Sequence, residues 1–209
     1  MRHTRRTYYD KFSRYYDGFV ALHSGDAQQV ARRVLADLLP GRNGGSVLDI
    51  CTGTAALLLH LQAKVGSDGR VVGVDFSHGM LQVAREKIRA LPNVDLVETD
   101  VEHLPFASGS FDAVTCSHAF YELKGETRGR VLEEVLRVLK PKGTFLMMEH
   151  DVPPNPFVRA LFYLRLAFVG AGRARTFLRH ERETLEGYFD SVEKVGAGRS
   201  KVMICRKSS

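Results

Sequence analysis

The stretch VLDICTGTA, Val47–Ala55, decides the fold. A short apolar run leading into a glycine-containing loop is typical of the first strand and ligand loop of a nucleotide-binding parallel sheet. A dinucleotide loop needs three glycines, and the matching positions here hold Cys51, Gly53 and Ala56. Because only the middle glycine is present, we do not expect a pyrophosphate cradle. The carboxylate of Asp49 would also repel a pyrophosphate, and it favours a ligand with positive charge.

Beyond this loop, branched apolar runs alternate with segments of helical period, as in strand–helix units around a parallel sheet. The spacing between the last two apolar runs permits a hairpin but no crossover helix. The sequence therefore predicts an α/β, Rossmann-like fold with a seven-stranded, mostly parallel sheet, an antiparallel last strand and helices on both faces. The predicted strands are 46–50, 70–77, 94–100, 111–118, 143–151, 190–198 and 200–207, and the predicted helices include 27–40, 54–65, 77–91 and 130–140.

Two further acids follow the second and third predicted strands. Asp75 lies about twenty residues after the loop, where a carboxylate accepts hydrogen bonds from a ribose diol, although it is also placed to cap the next helix beside Ser77. Asp100 ends the third strand and can accept a hydrogen bond from an adenine amino group. Open parallel sheets bind ligands at this edge, so the three acids indicate a cationic adenosyl compound, and S-adenosylmethionine fits.

Four successive segments carry a family resemblance: VLDICTGTA, VVGVDFSHGML, ETDVEHLPFASGSFDAV and EEVLRVLKPKGTFLMME. They resemble the motifs of the class I S-adenosylmethionine-dependent methyltransferases, most closely those of the ubiquinone/menaquinone biosynthesis methyltransferase family. The resemblance runs from about Tyr9 to Glu149. It implies S-adenosylmethionine as the cofactor and S-adenosylhomocysteine as its product.

The same resemblance implies roles for individual residues. Asp49, Cys51 and Gly53 would shape the methionine end of the pocket, and Asp75 would hold the ribose. The other implied cofactor-binding residues are Phe76 and Met80 beside the adenine, Asp100 and the backbone of Val101 at its polar edge, Tyr9 and Tyr16 over the cofactor, and Ser117 and His118 near the methionine portion or the acceptor.

Three positions depart from the family pattern, which usually has glycine where this chain has Cys51, Ala55 and Lys142. Without glycine, the ligand loop would either lie farther from the cofactor or take a less strained turn. Cys51 and Cys116 also end adjacent predicted strands. They are either small core residues or a thiol pair able to bind a soft ligand such as trivalent arsenic.

Methyl transfer needs a base only when the acceptor must lose a proton. His118, with Tyr121 nearby, is the predicted catalytic group. His118 and His150 end neighbouring strands and, with Glu149 or Asp151, offer an alternative metal site. No metal is predicted, because packing or surface histidines are the commoner case.

The length of 209 residues suits a single methyltransferase domain, 1–209, with an N-terminal helical cap at 1–41 and a helical insertion at 155–189 over the acceptor site.

The net charge of +6 is spread among acids, so we expect no nucleic-acid partner. No apolar window suggests a membrane span or a secretory signal, which predicts a cytoplasmic protein. Apolar and arginine residues at 155–180 favour peripheral membrane contact or a roof over the active site.

The sequence thus predicts a methyltransferase that acts on a small, hydrophobic acceptor, either a quinol precursor or a lipid headgroup. A module that binds S-adenosylmethionine without catalysis is the alternative, since the ligand loop is altered. A nicotinamide-dependent reductase is opposed by the absent glycines. A nucleic-acid methylase is opposed by the lack of an Asn/Asp-Pro-Pro-aromatic motif.

Overall fold

A computed structural model describes residues 6–10, 12–16, 18, 29–41, 44–168 and 174–207. Residues 27–28 of the predicted N-terminal helix and 169–173 of the predicted insertion lie outside the described residues. None of the described helices combines the length and the apolar character that a bilayer span requires.

One mixed sheet forms the centre of the molecule. Its strands are β1 (Ser46–Ile50), β2 (Arg70–Asp75), β3 (Val94–Glu98), β4 (Phe111–Ser117), β5 (Leu139–His150), β6 (Ser191–Ala197) and β7 (Ser200–Arg206). Their order in the sheet is β3-β2-β1-β4-β5-β7-β6. Strands β1 to β5 run parallel, whereas β7 is antiparallel to both β5 and β6. This arrangement confirms the predicted fold class.

Helices cover both faces of the sheet and bury two apolar clusters. The helices are α1 (Val30–Asp37), α2 (Leu58–Val65), α3 (His78–Ile88), α4 (Gly125–Val138), α5 (Pro156–Phe168) and α6 (Ala174–Glu186), with a 3-10 turn at Phe120–Glu122; residues 6–10 and 12–16 are also helical. On one face, α4 and α6 contribute buried side chains that include Leu132, Val135, Phe177 and Leu185. On the other face, α1, α2 and α3 contribute Leu35, Leu58, Leu61 and Ala84.

Several predicted boundaries are wrong, among them the start of α4, which lies at Gly125 instead of residue 130, and two of the others have a clear local reason. Helix α4 ends at Val138, and β5 already begins at Leu139, which pairs with Phe111 before the register shifts. Lys140 precedes Pro141, and a residue before proline is driven out of the helical region. Helix α2 begins at Leu58 instead of residue 54, because the turns of the ligand loop occupy the preceding residues.

Lys142 adopts a left-handed backbone with φ of 63°. We expect Lys142→Gly to stabilise the fold by about 0.5–1 kcal/mol, because the strain of a side chain at positive φ exceeds the extra entropy of glycine in the unfolded chain. Thermal unfolding should then shift upward by about 1–4 °C. Lys87→Gly in α3 is the matched control and should lower stability. A fall in both variants would contradict the argument.

Candidate cofactor and acceptor site

Asp49 lies at the carboxyl end of β1, in register with Gly73 of β2 and Thr115 of β4. It is only 1% exposed, and the Thr115 hydroxyl donates a hydrogen bond of 2.6 Å to its Oδ1. Burial raises the pKa of Asp49 to about 7, because the hydrogen bond from Thr115 offsets only part of the desolvation. A buried carboxyl group that is close to half ionised at neutral pH is poised to respond to a cationic ligand.

Asp75 joins the ligand loop to the end of β2. Its Oδ2 accepts from the Gly53 backbone N–H, and its Oδ1 accepts from the Ser77 N–H, both at 2.9 Å. The residue is buried, and burial raises its pKa even though these N–H groups oppose the shift. A carboxylate offers about four lone-pair sites, so Asp75 retains capacity for two ribose hydroxyls.

Three residues of the ligand loop have a left-handed backbone with positive φ, and two of them are not glycine. The φ angles are 55° at Cys51, 57° at Gly53 and 65° at Ala55. The prediction of a less strained turn is therefore wrong. Side chains in this conformation cost roughly 1–2 kcal/mol each, and such strain persists where the surrounding structure over-determines it.

The predicted adenine-binding residues lie around the start of α3 and the end of β3. Phe76 is half-buried, and Met80 is buried, with its N–H donating to the Ser77 hydroxyl as the predicted helix cap. Asp100 Oδ1 accepts from the Glu102 N–H at 3.1 Å, and Val101 is buried. These residues follow neighbouring parallel strands and therefore share one edge of the sheet.

The N-terminal helical residues pack against this edge. Tyr9 contacts Phe76 edge to face, with 6.0 Å between ring centroids, and its hydroxyl donates to Glu122 Oε2 at 2.7 Å. Asp10 Oδ1 accepts from the Ser77 hydroxyl and the Gly79 N–H. A Cβ atom at Gly79 would lie 2.6 Å from the Asp10 Cα, so only glycine permits this approach.

Tyr16 lies behind Tyr9, with the two rings 6.5 Å apart. The structure thus brings both predicted covering tyrosines to the Phe76 side of the edge. Tyr9 also ties this segment to the turn after β4 through its bond to Glu122.

Sequence reasoning missed Arg32 on α1. Its Nε is buried without a hydrogen-bond partner, and its positive charge offsets a small part of the rise in the pKa of Asp49 and adds slightly to the fall in that of His118. The sequence did carry a signal: Arg32 lies three and four residues before the buried Leu35 and Ala36, on the helix face that packs inward. An unpaired guanidinium N–H beside Asp49 fits the carboxylate of a zwitterionic ligand.

His118 follows β4 in a left-handed conformation with φ of 51°. Its Nε2 lies 3.2 Å from the Ser200 hydroxyl, and its Nδ1 is buried without a partner. Burial first, and then the neighbouring His150, lower the pKa of His118 well below its ordinary value. The imidazole is therefore neutral at physiological pH, and the unpaired Nδ1 is available for a hydrogen bond with a ligand. Ser117, the last residue of β4, is half-buried and pairs with Met148.

His150 connects the two predicted catalytic residues. Its ring centroid lies 4.6 Å from that of His118 and 5.6 Å from that of Tyr121. Phe162 of α5 contacts the same imidazole at 5.7 Å. These rings form an aromatic cluster that extends from the end of β4 to the insertion.

The two thiols predicted at adjacent strand ends do meet. Cys116 is fully buried, and its hydrogen bond with Cys51, together with burial, raises its pKa well above the usual range. Cys116 therefore stays protonated. The described residues contain no group of three or more His, Cys, Asp or Glu side chains placed to hold a metal ion.

Comparison with known proteins agrees with this geometry. Residues 47–143 match the family described as a methyltransferase domain. A demethylmenaquinone methyltransferase from Staphylococcus epidermidis is 32% identical over 177 residues, which cover 85% of this chain and 73% of that protein. One from Staphylococcus aureus is 33% identical over 84% of this chain and 72% of its own length.

A solved structure shares the fold at low sequence identity. It is a Methanococcus maripaludis protein assigned to the S-adenosyl-L-methionine-dependent methyltransferases, with a TM-score of 0.70 and 16% identity over 96% of this chain and 94% of its own. The strand order, the acidic residues at the strand ends and the similarity to these proteins all point to the same family. The chain belongs to the class I S-adenosylmethionine-dependent methyltransferases, in the group that includes the ubiquinone/menaquinone biosynthesis enzymes.

Proposed function

We propose that this enzyme methylates a lipophilic, quinol-like acceptor held by the aromatic cluster of His118, His150, Tyr121 and Phe162. The observation that carries the proposal is the path of this cluster, which leads from the cofactor edge of the sheet to α5. Flat aromatic side chains suit a flat aromatic acceptor. The demethylmenaquinone methyltransferases among the relatives support an acceptor of this class.

In this proposal the described edge holds S-adenosylmethionine as a whole. Asp75 binds the ribose, and Arg32 binds the methionine carboxylate, while the ionised Asp49 attracts the ammonium group. The remaining cofactor contacts are Phe76 and Met80 at the adenine, Asp100 and Val101 at its polar edge, Tyr9 and Tyr16 above it, and Cys51, Gly53 and Ser117 around the methionine end.

The cofactor supplies a methyl group on a sulfonium, which an aligned nucleophile displaces in line. An electron pair of the acceptor would form the new bond to the methyl carbon as the carbon–sulfur bond breaks, S-adenosylhomocysteine would leave with the electron pair of that bond, and the proton released from the acceptor would pass to a base. Neutral His118 is the base in this proposal, through its unpaired Nδ1. Tyr121 and His150 orient the acceptor ring and exclude water.

The outer face of α5 suggests how a lipophilic acceptor arrives. Phe157, Leu161 and Leu164 are 73%, 51% and 68% exposed and recur at four- and three-residue steps, so they form one apolar face. Arg175 adds a positive charge beside this helix, with its guanidinium 5.2 Å from the Tyr163 ring centroid. We infer that α5 rests on an anionic membrane surface, which lets the acceptor reach the site from the lipid.

A direct assay tests the proposed function. The enzyme is incubated with labelled S-adenosylmethionine and demethylated quinols with short and long isoprenoid tails, and mass spectrometry identifies what gains a methyl group. We expect methylated quinol with either tail. A quinol that stays unmethylated while another lipid fraction gains the label would overturn the acceptor class, and cofactor binding without any transfer would favour the non-catalytic module.

Replacing Phe157, Leu161 and Leu164 together by serine should reduce binding to anionic vesicles about tenfold or more, because apolar area no longer enters the membrane. Co-sedimentation measures the effect. Turnover of a short-tailed quinol should stay unchanged, since the replaced side chains face outward. Leu59→Ser, at an exposed leucine on α2, is the control. Equal vesicle binding by the triple variant and the native protein would contradict membrane docking through α5.

Arg32→Ala should weaken S-adenosylmethionine binding by about 10- to 100-fold, the loss expected for one charge-assisted hydrogen-bonded ion pair. Titration calorimetry gives the dissociation constant. Arg33→Ala is the matched control, because Arg33 is the exposed neighbour on the same helix. A similar loss in both variants would indicate a general effect of charge and would contradict a specific contact.

A further inference from the structure

We propose that the polar ring of the acceptor binds on the α6 side of the end of β5, where Glu149 hydrogen-bonds to one of its oxygens. This inference rests on the proposed quinol-like acceptor. It adds a binding residue that belongs neither to the ligand loop nor to the proposed base.

Four buried polar atoms in this region have no hydrogen-bond partner: Glu149 Oε2, Glu181 Oε2, Arg128 Nε and Tyr163 Oη. They come from four different elements, β5, α6, α4 and α5 respectively. Buried polar atoms are nearly always paired, and each unpaired one is costly. Four such atoms beside the aromatic cluster indicate that a polar ligand completes this region.

Electrostatic interactions place Glu149, Glu181 and Arg128 around one region, and Tyr163 packs against the apolar cluster on the same face of the sheet. Arg128 and Glu181 both interact electrostatically with Glu149. The Arg128 guanidinium lies 4.1 Å from the centroid of Phe177 on α6. Tyr163 contacts Phe162, which in turn contacts His150, the residue after Glu149.

Glu149 itself is fully buried, and its Oε1 accepts from the Tyr121 N–H at 3.1 Å. Lys201 lies opposite Glu149 in the β5–β7 register, but its ammonium forms an ion pair with Glu181. The cation opposite Glu149 in this register is thus already engaged by Glu181, and Glu149 Oε2 has no hydrogen-bond partner among the described residues.

The surroundings of Glu149 favour its protonated form. Burial first, and then the charges of Glu181 and Glu122, raise its pKa well above the ordinary value, although Tyr121 N–H and Lys201 oppose the shift. The other titratable neighbours are Arg128 on α4, Cys116 on β4 and His150 on β5.

A protonated carboxyl group has an O–H that can donate, which an ionised one lacks. Glu149 can therefore donate to a keto or hydroxyl oxygen next to the carbon that receives the methyl group. Such a hydrogen bond strengthens as negative charge develops on that oxygen when the acceptor loses its proton.

Two variants of Glu149 separate binding from architecture. Glu149→Gln keeps the shape and a neutral donor, whereas Glu149→Leu removes the donor. Steady-state kinetics with a short-tailed demethylated quinol give KM and kcat across the pH range in which the enzyme stays folded, and calorimetry gives the dissociation constant for S-adenosylmethionine. The control is Glu183→Gln, at an exposed position on α6.

We expect the quinol KM of the native enzyme to rise with pH as Glu149 ionises, and that of Glu149→Gln to stay flat. Glu149→Leu should raise KM about tenfold at low pH, with cofactor binding unchanged. The infrared band of a protonated carboxyl group should shift when quinol binds to the native enzyme and should be missing in Glu149→Gln.

A parallel rise of KM with pH in the native enzyme and Glu149→Gln would overturn the inference, and so would an unaltered KM in Glu149→Leu. If Glu149→Leu fails to fold, the pH dependence of KM in the native enzyme and in Glu149→Gln still tests the inference. A native enzyme that leaves the quinol unmethylated overturns the proposed function itself, which is a separate result.

Discussion

Asp75→Ala should weaken S-adenosylmethionine binding by roughly 100- to 1,000-fold, the largest loss we expect from any single substitution in the cofactor site. The carboxylate accepts from the backbone N–H groups of Gly53 and Ser77 and, in our proposal, from both ribose hydroxyls as well. Alanine would remove the two ribose contacts and leave the Gly53 and Ser77 N–H groups without their partner. The ligand loop would then lose its tie to β2.

Titration calorimetry measures the binding loss, and thermal unfolding reports whether the variant remains folded. Asp75→Asn should lie between alanine and the native residue, because an amide keeps one acceptor oxygen but turns a donor toward one backbone N–H. Asp95→Ala on β3 is the control, since Asp95 is exposed and pairs with Arg70 at the surface. If the folded Asp75→Ala protein bound S-adenosylmethionine with native affinity, Asp75 would not contact the cofactor.

The position of Asp75 shows what the sequence can predict. Asp49, Asp75 and Asp100 each follow an apolar run, and parallel strands bring their carboxyl ends to one edge, so periodicity alone places the three acids together. The β6–β7 hairpin is predicted equally well, because seven residues in each strand and a two-residue connection leave no other pairing.

Features that depend on tertiary packing were not predictable in the same way. Arg32 and Arg33 are identical in type, and only the docking of α1 on the sheet buries the Nε of Arg32. The sequence shows Glu149 only as the end of a strand. Its raised pKa follows first from burial by packed elements and then from the charge of Glu181, which lies 32 positions away in the chain. The left-handed φ of Cys51 contradicts local propensity, because the sheet and Asp75 hold the loop in place.

Cofactor binding should release protons, and Asp49 is their source. In the free protein the pKa of Asp49 is about 7, whereas the ordinary value is 3.8. A bound ammonium and sulfonium favour the ionised carboxylate, so the complex holds Asp49 at a lower pKa and the released proton enters the buffer. Between about pH 5 and pH 7 the dissociation constant should therefore fall by up to about tenfold per pH unit, and it should level off above pH 7.

Calorimetry in buffers with different ionisation enthalpies counts the protons, and we expect about 0.9 released per cofactor at pH 6. Asp49→Asn should release none and bind with a dissociation constant that is flat across this range. The two proteins should bind most alike near pH 5 and differ most at pH 7, because only the native residue gains a charge.

The free energy of unfolding gives the opposite sign. A carboxyl group whose pKa is raised in the folded state makes the protein less stable as pH rises from about 4 to 7. The free energy of unfolding of the ligand-free Asp49→Asn protein should therefore increase relative to that of the native protein over that interval. Proton release that persists in Asp49→Asn would assign the titration to another group and leave Asp49 with a purely structural bond to Thr115.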